Sequence, residues 1–215
     1  MSSRMLSALS GLLIAFACRA QAAPVEGTDY VEVKPPQSVD SPGKVEVTEF
    51  FWYRCPHCYA LEPGLEAWVK RLPRDVVFKR VPGILNDDWA VDARIYYALE
   101  AVGEVNRLHR QLFDAIHQQG GVRLRGEAFA KWVADWLAKQ KVDMAKYDAA
   151  MHSFTVESKM RRAAQLASGY RLDGVPALTV QGRYLVVAST SHKAMLDTAD
   201  SLIGESRKQL AKTKP

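Results

Sequence analysis

The chain has 215 residues, of which 48% are hydrophobic and 25% charged, as is ordinary for a soluble globular protein. This length is enough for one domain, or for one domain with an insertion, and for a substantial core. The formal net charge of +5 at pH 7 is a mild excess without a basic block, so it does not favour a nucleic-acid-binding protein. No apolar run is long enough to cross a bilayer with ease, and no permanent membrane span is expected.

The first 22 residues are typical of a signal peptide. Arg4 supplies positive charge, residues 6–17 form an apolar stretch, and Ala20-Gln21-Ala22 provides the small residues that a signal peptidase requires. We therefore expect cleavage after Ala22 and export to a periplasm; no Lys-Asp-Glu-Leu-type signal for the endoplasmic reticulum ends the chain. A buried N-terminal helix and a lipoprotein cleaved before Cys18 are the alternatives.

Removal of this segment would take Cys18 away and leave Cys55 and Cys58 in a single Cys-x-x-Cys motif. A disulfide across so short a loop stabilises a fold poorly, because the stabilisation grows with loop length. In an exported, oxidised protein the pair is therefore better explained by a redox role than by a structural one.

The first half of the chain is predicted to form a strand, the Cys-x-x-Cys motif, a helix and a further strand, in that order. Residues 31–33 alternate as in an edge strand, and residues 44–53 are apolar enough for a central buried strand. That strand runs directly into Cys55-Pro56-His57-Cys58. An amphipathic helix should follow the motif, since apolar residues recur at helical spacing (Leu61, Leu65, Trp68 and Leu72). Residues 75–81 form the next strand, which completes a βαβ unit.

The pattern from residue 87 to about 170 is helical throughout. It predicts helices over 89–100, 108–116 and 129–137, and one further helical stretch from Met144 through Phe154 to about Ser168. Two short strands, 177–180 and 184–187, and a final helix over 191–210 end the chain.

These elements indicate an α/β protein with one sheet domain and an all-helical insertion. After the signal peptide (1–22), the sheet domain combines residues 23–83 and 170–215, and the insertion covers 84–169. Neither end has enough strands to bury both faces of a sheet by itself, so the two ends should share one sheet.

The chemistry of the motif requires a thiolate, and an ordinary cysteine is mostly protonated near neutral pH. Cys55 opens a helix, where unpaired backbone N–H groups and the positive end of the helix dipole face its sulfur. His57 adds a donor or a positive charge, and Pro56 suits the first helical position. Cys58 should be the more buried, resolving thiol. Because stabilising the Cys55 thiolate stabilises the reduced form, the disulfide should be an oxidant.

Other interpretations of the motif are weaker. A zinc site needs a second pair of ligands, and the remaining histidines are scattered among helices without companion thiolates. Covalent haem attachment requires histidine directly after the second cysteine, where Tyr59 stands. A purely structural disulfide remains open. We expect no metal and no cofactor.

The segment Glu49 to Tyr59, Glu-Phe-Phe-Trp-Tyr-Arg-Cys-Pro-His-Cys-Tyr, resembles the active-site strand of bacterial DsbA-type thiol:disulfide oxidases. A second motif, Gly174-Val175-Pro176-Ala177, precedes a strand as it does in that family. The resemblance spans nearly the whole mature chain and implies a thioredoxin-like fold with an inserted helical domain. It also implies a dithiol oxidase that gives its Cys55–Cys58 disulfide to reduced, unfolded secreted proteins and is reoxidised by a DsbB-type quinone-linked membrane enzyme.

The resemblance assigns further residues to the site. Pro176 should be the cis-proline that faces the motif, and Val175 should offer backbone groups to an extended substrate; a trans proline in a simple turn is the alternative. Glu49 resembles the buried acid that assists proton movement beneath the disulfide, unless it points to solvent. The family's lysine partner for this acid has no clear match: Asp75 stands near the expected position, and Lys79 would face outward.

Two other functions remain as alternatives. A disulfide isomerase or reductase could use the same scaffold, although isomerases of this kind usually dimerise through an added N-terminal domain for which the segment before the first core strand is too short. A non-redox or glutathione-using relative would generally lack an intact Cys-x-x-Cys pair. We therefore expect a monomeric protein disulfide oxidoreductase.

Overall fold

The computed structural model describes residues 23–187 and 191–212, so the predicted signal peptide lies outside the described residues. Five strands form the sheet: β1 Tyr30–Glu32, β2 Val45–Phe51, β3 Val76–Pro82, β4 Ala177–Val180 and β5 Tyr184–Val186. Their order is β1-β5-β4-β2-β3, with only the β2–β3 pair parallel. Both ends of the chain thus contribute strands to one sheet, as the sequence predicts.

The helices are α1 Pro56–Lys70, α2 Asp87–Ala101, α3 Val105–Gln118, α4 Gly126–Lys139, α5 Met144–Met151, α6 Phe154–Gly169 and α7 His192–Lys212. The five from α2 to α6 follow β3 and precede β4, which makes them an insertion in the sheet domain. Within the described ranges, none of the helices is both long and apolar enough to span a membrane.

β2 connects the two parts of the core. All seven of its residues are buried, because it lies between β3 and β4 and is covered on both faces. Val45 and Val47 pack with the apolar side chains of α1 and α7, whereas Phe51 packs among the side chains of the helical insertion. The end of β2, where the Cys-x-x-Cys motif begins, therefore lies at the junction between sheet and insertion.

One prediction about the helices is wrong: residues 144–168 do not form one stretch. The chain leaves α5 at His152, and α6 starts afresh at Phe154. The reason is a new N-cap, because the Ser153 hydroxyl accepts a hydrogen bond from the backbone N–H of Val156 at 3.2 Å. Phe154, read as part of the apolar pattern, is 79% exposed.

Candidate active site

The Cys-x-x-Cys motif forms the first turn of α1. Cys55 is the N-cap, with extended backbone dihedrals, and Pro56 occupies the first helical position. The backbone N–H of Cys58 donates to the Cys55 sulfur at 3.3 Å. Both cysteines are unbridged, so the structure describes the dithiol form. The Cys55 residue is 6% exposed and Cys58 is fully buried, which leaves Cys55 as the sulfur that a substrate can reach.

The two thiols differ in acidity. The pKa of Cys55 is lowered to about 6, first by a hydrogen bond from the Cys58 thiol, which outweighs burial, and then by backbone N–H groups of Cys58 and His57. The charge of His57, whose side chain is exposed, contributes least among these causes. Burial raises the pKa of Cys58 well above the ordinary value. One sulfur is thus prepared as an anion and the other as a neutral thiol.

The segment before β4 forms the opposite wall of the site. The peptide bond between Val175 and Pro176 is cis, as predicted. The Val175 carbonyl accepts a hydrogen bond from the Cys55 thiol at 3.4 Å. A groove of about 500 Å³ runs beside these two residues, and its lining includes Val31, Leu172 and Leu185. We call Val175 and Pro176 the cis-proline platform.

Glu49 lies in β2 with its side chain fully buried. The parallel register places it opposite Arg80 of β3, and the Arg80 Nε atom lies 3.1 Å from Glu49 Oε2. Neither carboxylate oxygen makes a hydrogen bond to any described residue. Burial is the main cause that raises the pKa of Glu49, and the charge of Arg80 only partly offsets it.

Arg80 also contacts a second buried carboxylate, Glu62 of α1, with Nη2 at 2.6 Å from Oε1. Burial raises the pKa of Glu62 as well. His109 lies 3.6 Å from the same Glu62 oxygen, and its other ring nitrogen is hydrogen-bonded to the Tyr53 hydroxyl at 2.9 Å. Burial lowers the pKa of His109 well below the usual value, so this ring is neutral.

The sequence reasoning missed Arg80, Glu62 and His109. Arg80 is one residue beyond Lys79, which instead makes ion pairs with Asp40 and Glu46 at the sheet edge. Strand register decides between neighbours of this kind, because a shift of one residue reverses the side-chain direction. Glu62 did leave a signal: it follows Cys58 by four residues, which places both on one face of a helix.

An acidic thiol at a helix N-terminus, a buried partner thiol and a cis-proline facing them define a thiol:disulfide oxidoreductase with the thioredoxin fold. A family model described as the DSBA-like thioredoxin domain matches residues 74–200, which include the cis-proline platform. The chain belongs to this family.

Curated relatives and solved structures agree with this assignment. The chain is 43% identical over 175 residues to the thiol:disulfide interchange protein DsbA of Burkholderia cepacia, covering 81% of each chain. It is 41% identical over 211 residues to that of Bordetella pertussis, covering 96% of this chain and 97% of the relative. The crystal structure of Pseudomonas aeruginosa DsbA superposes with a TM-score of 0.79 at 37% identity, covering 87% of this chain and 96% of that one. The protein is therefore an enzyme that exchanges thiols and disulfides in proteins.

Proposed function

We propose that the Cys55–Cys58 disulfide is transferred to reduced, unfolded secreted proteins, and that Cys55 is the sulfur the substrate attacks. The observation that carries this proposal is the difference between the two sulfurs: the Cys55 sulfur receives the Cys58 N–H at 3.3 Å, whereas Cys58 is fully buried. A substrate thiolate can reach Cys55 beside the cis-proline platform, where Val175 is partly exposed, Pro176 is buried next to it, and an extended chain can pair with the backbone.

The transfer takes two exchanges. A substrate thiolate attacks Cys55 Sγ, a substrate–Cys55 disulfide forms, and the Cys55–Cys58 bond breaks so that Cys58 leaves with the electron pair and takes a proton. A second substrate thiolate then attacks the substrate sulfur of the mixed disulfide, and Cys55 leaves as a thiolate. The substrate dithiol loses two electrons and becomes a disulfide, while the enzyme becomes a dithiol.

The direction of disulfide transfer follows from the acidity of the leaving thiol. A thiolate with a pKa of about 6 is a good leaving group and a stable product at neutral pH, so the reduced enzyme is favoured over the disulfide. The hydrogen bond from the Cys58 thiol contributes most to this stabilisation, the backbone N–H groups of the first helical turn, which Pro56 begins, add to it, and the charge of His57 contributes least. Oxidation of the substrate is therefore the favoured direction.

Glu49 is proposed to carry the proton that Cys58 needs when it leaves. Its charge raises the pKa of Cys58 and the charge of Cys55 raises the pKa of Glu49, which supports electrostatic contact between this acid and the motif. Because burial raises the pKa of Glu49 and the charge of Arg80 offsets this only in part, the acid can take up and release a proton near neutral pH, as a proton carrier must. Arg80 and Glu62 would set that balance.

The cellular setting is part of the same proposal. Residues 1–22 would be a signal peptide cleaved after Ala22, and the mature protein would work in the periplasm as a monomer. The reduced dithiol would be reoxidised by a DsbB-type quinone-linked membrane enzyme. These assignments rest on the sequence pattern and on family membership, and reduced secreted proteins are the substrates that the family suggests.

The direct test is to mix the oxidised protein with a reduced, unfolded substrate that has two cysteines and to follow disulfide formation by mass spectrometry after alkylation. The intact protein should oxidise the substrate rapidly, and Cys55→Ser should not. Lack of oxidation by the intact protein, or full activity in Cys55→Ser, would contradict the proposal. A redox titration with glutathione separates the remaining alternative, because a strongly reducing potential indicates a reductase.

A further inference from the structure

Arg54, directly before Cys55, is a buried arginine whose three side-chain nitrogens all donate hydrogen bonds. The residue is only 1% exposed. Its Nη2 lies 2.7 Å from Asp92 Oδ2 and donates to the Asp88 carbonyl at 2.9 Å, and Nη1 donates to the Leu124 carbonyl at 2.8 Å. Such a buried charge is tolerated only when ion pairs and hydrogen bonds compensate its desolvation. Arg54 therefore binds the active-site turn to α2 and to the segment before α4.

The same guanidinium organises aromatic rings. Its Cζ atom lies 4.5 Å from the ring centre of Phe129 and 5.0 Å from that of Trp52. Trp52 in turn stacks on Trp89 of α2, with ring centres 4.6 Å apart and planes inclined by 8°. Arg54, Trp52 and Trp89 form one continuous stack, which we call the arginine–tryptophan stack.

The outer end of this stack borders the cis-proline platform. A β-carbon placed on Gly83 would lie 3.2 Å from Val175 Cγ1 and 3.5 Å from Trp89 Cζ3, so the two side chains flank Gly83. Trp52 and Trp89 are both partly exposed. A chain lying on the platform would therefore pass beside an apolar, planar surface.

We propose that Trp89 is a specificity-determining residue for thiol exchange at Cys55 and that Arg54 is the positioning residue that holds it there through Trp52. The inference rests on the proposed function and extends it to the substrate. The favoured client protein carries an aromatic or large apolar side chain next to the cysteine that attacks Cys55. Aromatic rings offer a large contact area at small conformational cost, and stacked or edge contacts add to that burial.

The test uses two reduced two-cysteine peptides that differ only in having Phe or Ser beside the cysteine that attacks Cys55. The rate at which dithiothreitol reduces the Cys55–Cys58 disulfide serves as the reference for chemistry at Cys55. We expect the intact protein to favour the Phe peptide by about fivefold in kcat/KM, mainly through KM, a preference of the size that one aromatic contact supplies. In Trp89→Ala the preference should fall below about twofold. Trp132→Ala is the matched control, because Trp132 is another partly exposed tryptophan of the insertion but packs near Gly121.

Arg54 is tested by Arg54→Met combined with Asp92→Leu, which removes the buried ion pair as a unit, and by Arg54→Lys, which keeps the charge but not the planar fork. Both should lose the preference for the Phe peptide to a similar extent as Trp89→Ala, and adding Trp89→Ala to either should cost little more. If the double variant Arg54→Met with Asp92→Leu does not fold, the peptide preference of Arg54→Lys decides whether Arg54 positions Trp89.

The outcomes are distinguishable. A preference that survives in Trp89→Ala, or that is absent from the intact protein, overturns the role of Trp89. A preference that survives in the Arg54 variants overturns the positioning role of Arg54. If the intact protein oxidises neither peptide, the proposed function itself fails.

Discussion

The carbonyl oxygen of Val175 lies 3.4 Å from the sulfur of Cys55, although 120 residues separate them in the chain. Cys55 belongs to the segment before the helical insertion, and Val175 to the segment after it. Antiparallel pairing of β2 with β4 brings the two together, because Phe50 lies opposite Ala177 in the register. A substrate bound at Cys55 would therefore lie beside segments from both halves of the sheet domain.

The acidity of Cys55 should depend more on Cys58 than on His57, because the Cys58 thiol is the largest cause of the lowered pKa. Cys58→Ser keeps a hydrogen-bond donor, whereas Cys58→Ala removes it. We expect the pKa of Cys55 to be about 1 unit higher in Cys58→Ala than in Cys58→Ser, since a hydrogen bond to a charged group contributes about 1.5 kcal/mol. Thiolate absorbance against pH measures this difference. A larger effect from His57→Ala would show that the order of causes is wrong.

Reduction should make the protein more stable, and increasingly so as the pH rises from 6 to 8. In the folded protein the pKa of Cys55 is lowered from 9.0 to about 6. The ionised Cys55 therefore stabilises the folded, reduced protein fully above the pKa of the unfolded chain, and this stabilisation is lost as the pH falls through 6. Linkage predicts a gain of about 2 kcal/mol for the reduced form between pH 6 and pH 8. Thermal melts of both forms test this. Reduced Cys55→Ser should lack the increment, and an oxidised form that melts higher at pH 8 would contradict the argument about direction.

Glu49→Gln should stabilise the protein at pH 8 more than at pH 4.5. Burial raises the pKa of Glu49, so ionising this side chain in the folded protein costs free energy. The cost begins where the pH exceeds the pKa of Glu49 in the unfolded chain, and it grows until the pH exceeds the pKa in the folded protein. We expect a relative gain of at least about 1–2 kcal/mol in the free energy of unfolding, because the pKa of Glu49 is raised even with the attraction of Arg80 included. Chemical denaturation at the two pH values measures it.

Glu46→Gln is the matched control for Glu49→Gln. Glu46 also lies in β2 and is buried, but its carboxylate makes an ion pair with Lys79 at 2.7 Å. Its removal should not give the same pH-dependent gain. Equal behaviour of the two variants would show that Glu49 has no special burial cost.

Gly182→Ala should destabilise the fold strongly, by about 3 kcal/mol, because strain and a steric clash act together. Gly182 has φ +67°, and a β-carbon there would clash with the backbone carbonyl oxygen of Gln37, whose N–H donates to the Gly182 carbonyl at 2.8 Å. Gly43→Ala is the control, with φ +76° but no atom within 4 Å of the added carbon, and should cost about 1 kcal/mol. Similar melting temperatures for the two variants would refute the clash.

Much of this molecule follows from local patterns in the sequence. The buried strand that becomes β2, the helix that begins at Pro56 and the cap that Cys55 provides are visible because side chains repeat every two residues in strands and every three or four in helices. The acidity of Cys55 follows from the same local geometry, since its hydrogen-bond donors belong to the next three residues. The family resemblance of Glu49 to Tyr59 rests on a contiguous segment for the same reason.

Only the tertiary structure decides the partners of the buried charges. Glu49 meets Arg80 and not Lys79 because of the β2–β3 register, and Arg54, which looks like a surface arginine in the sequence, is buried against Asp92 of α2. These contacts join residues 31 and 38 positions apart, whose neighbours depend on how strands align and helices pack. The residues next to a charged side chain in the sequence do not show whether its partner is water or another side chain. Packing of the core decides this, because a charge removed from water needs a partner within the protein.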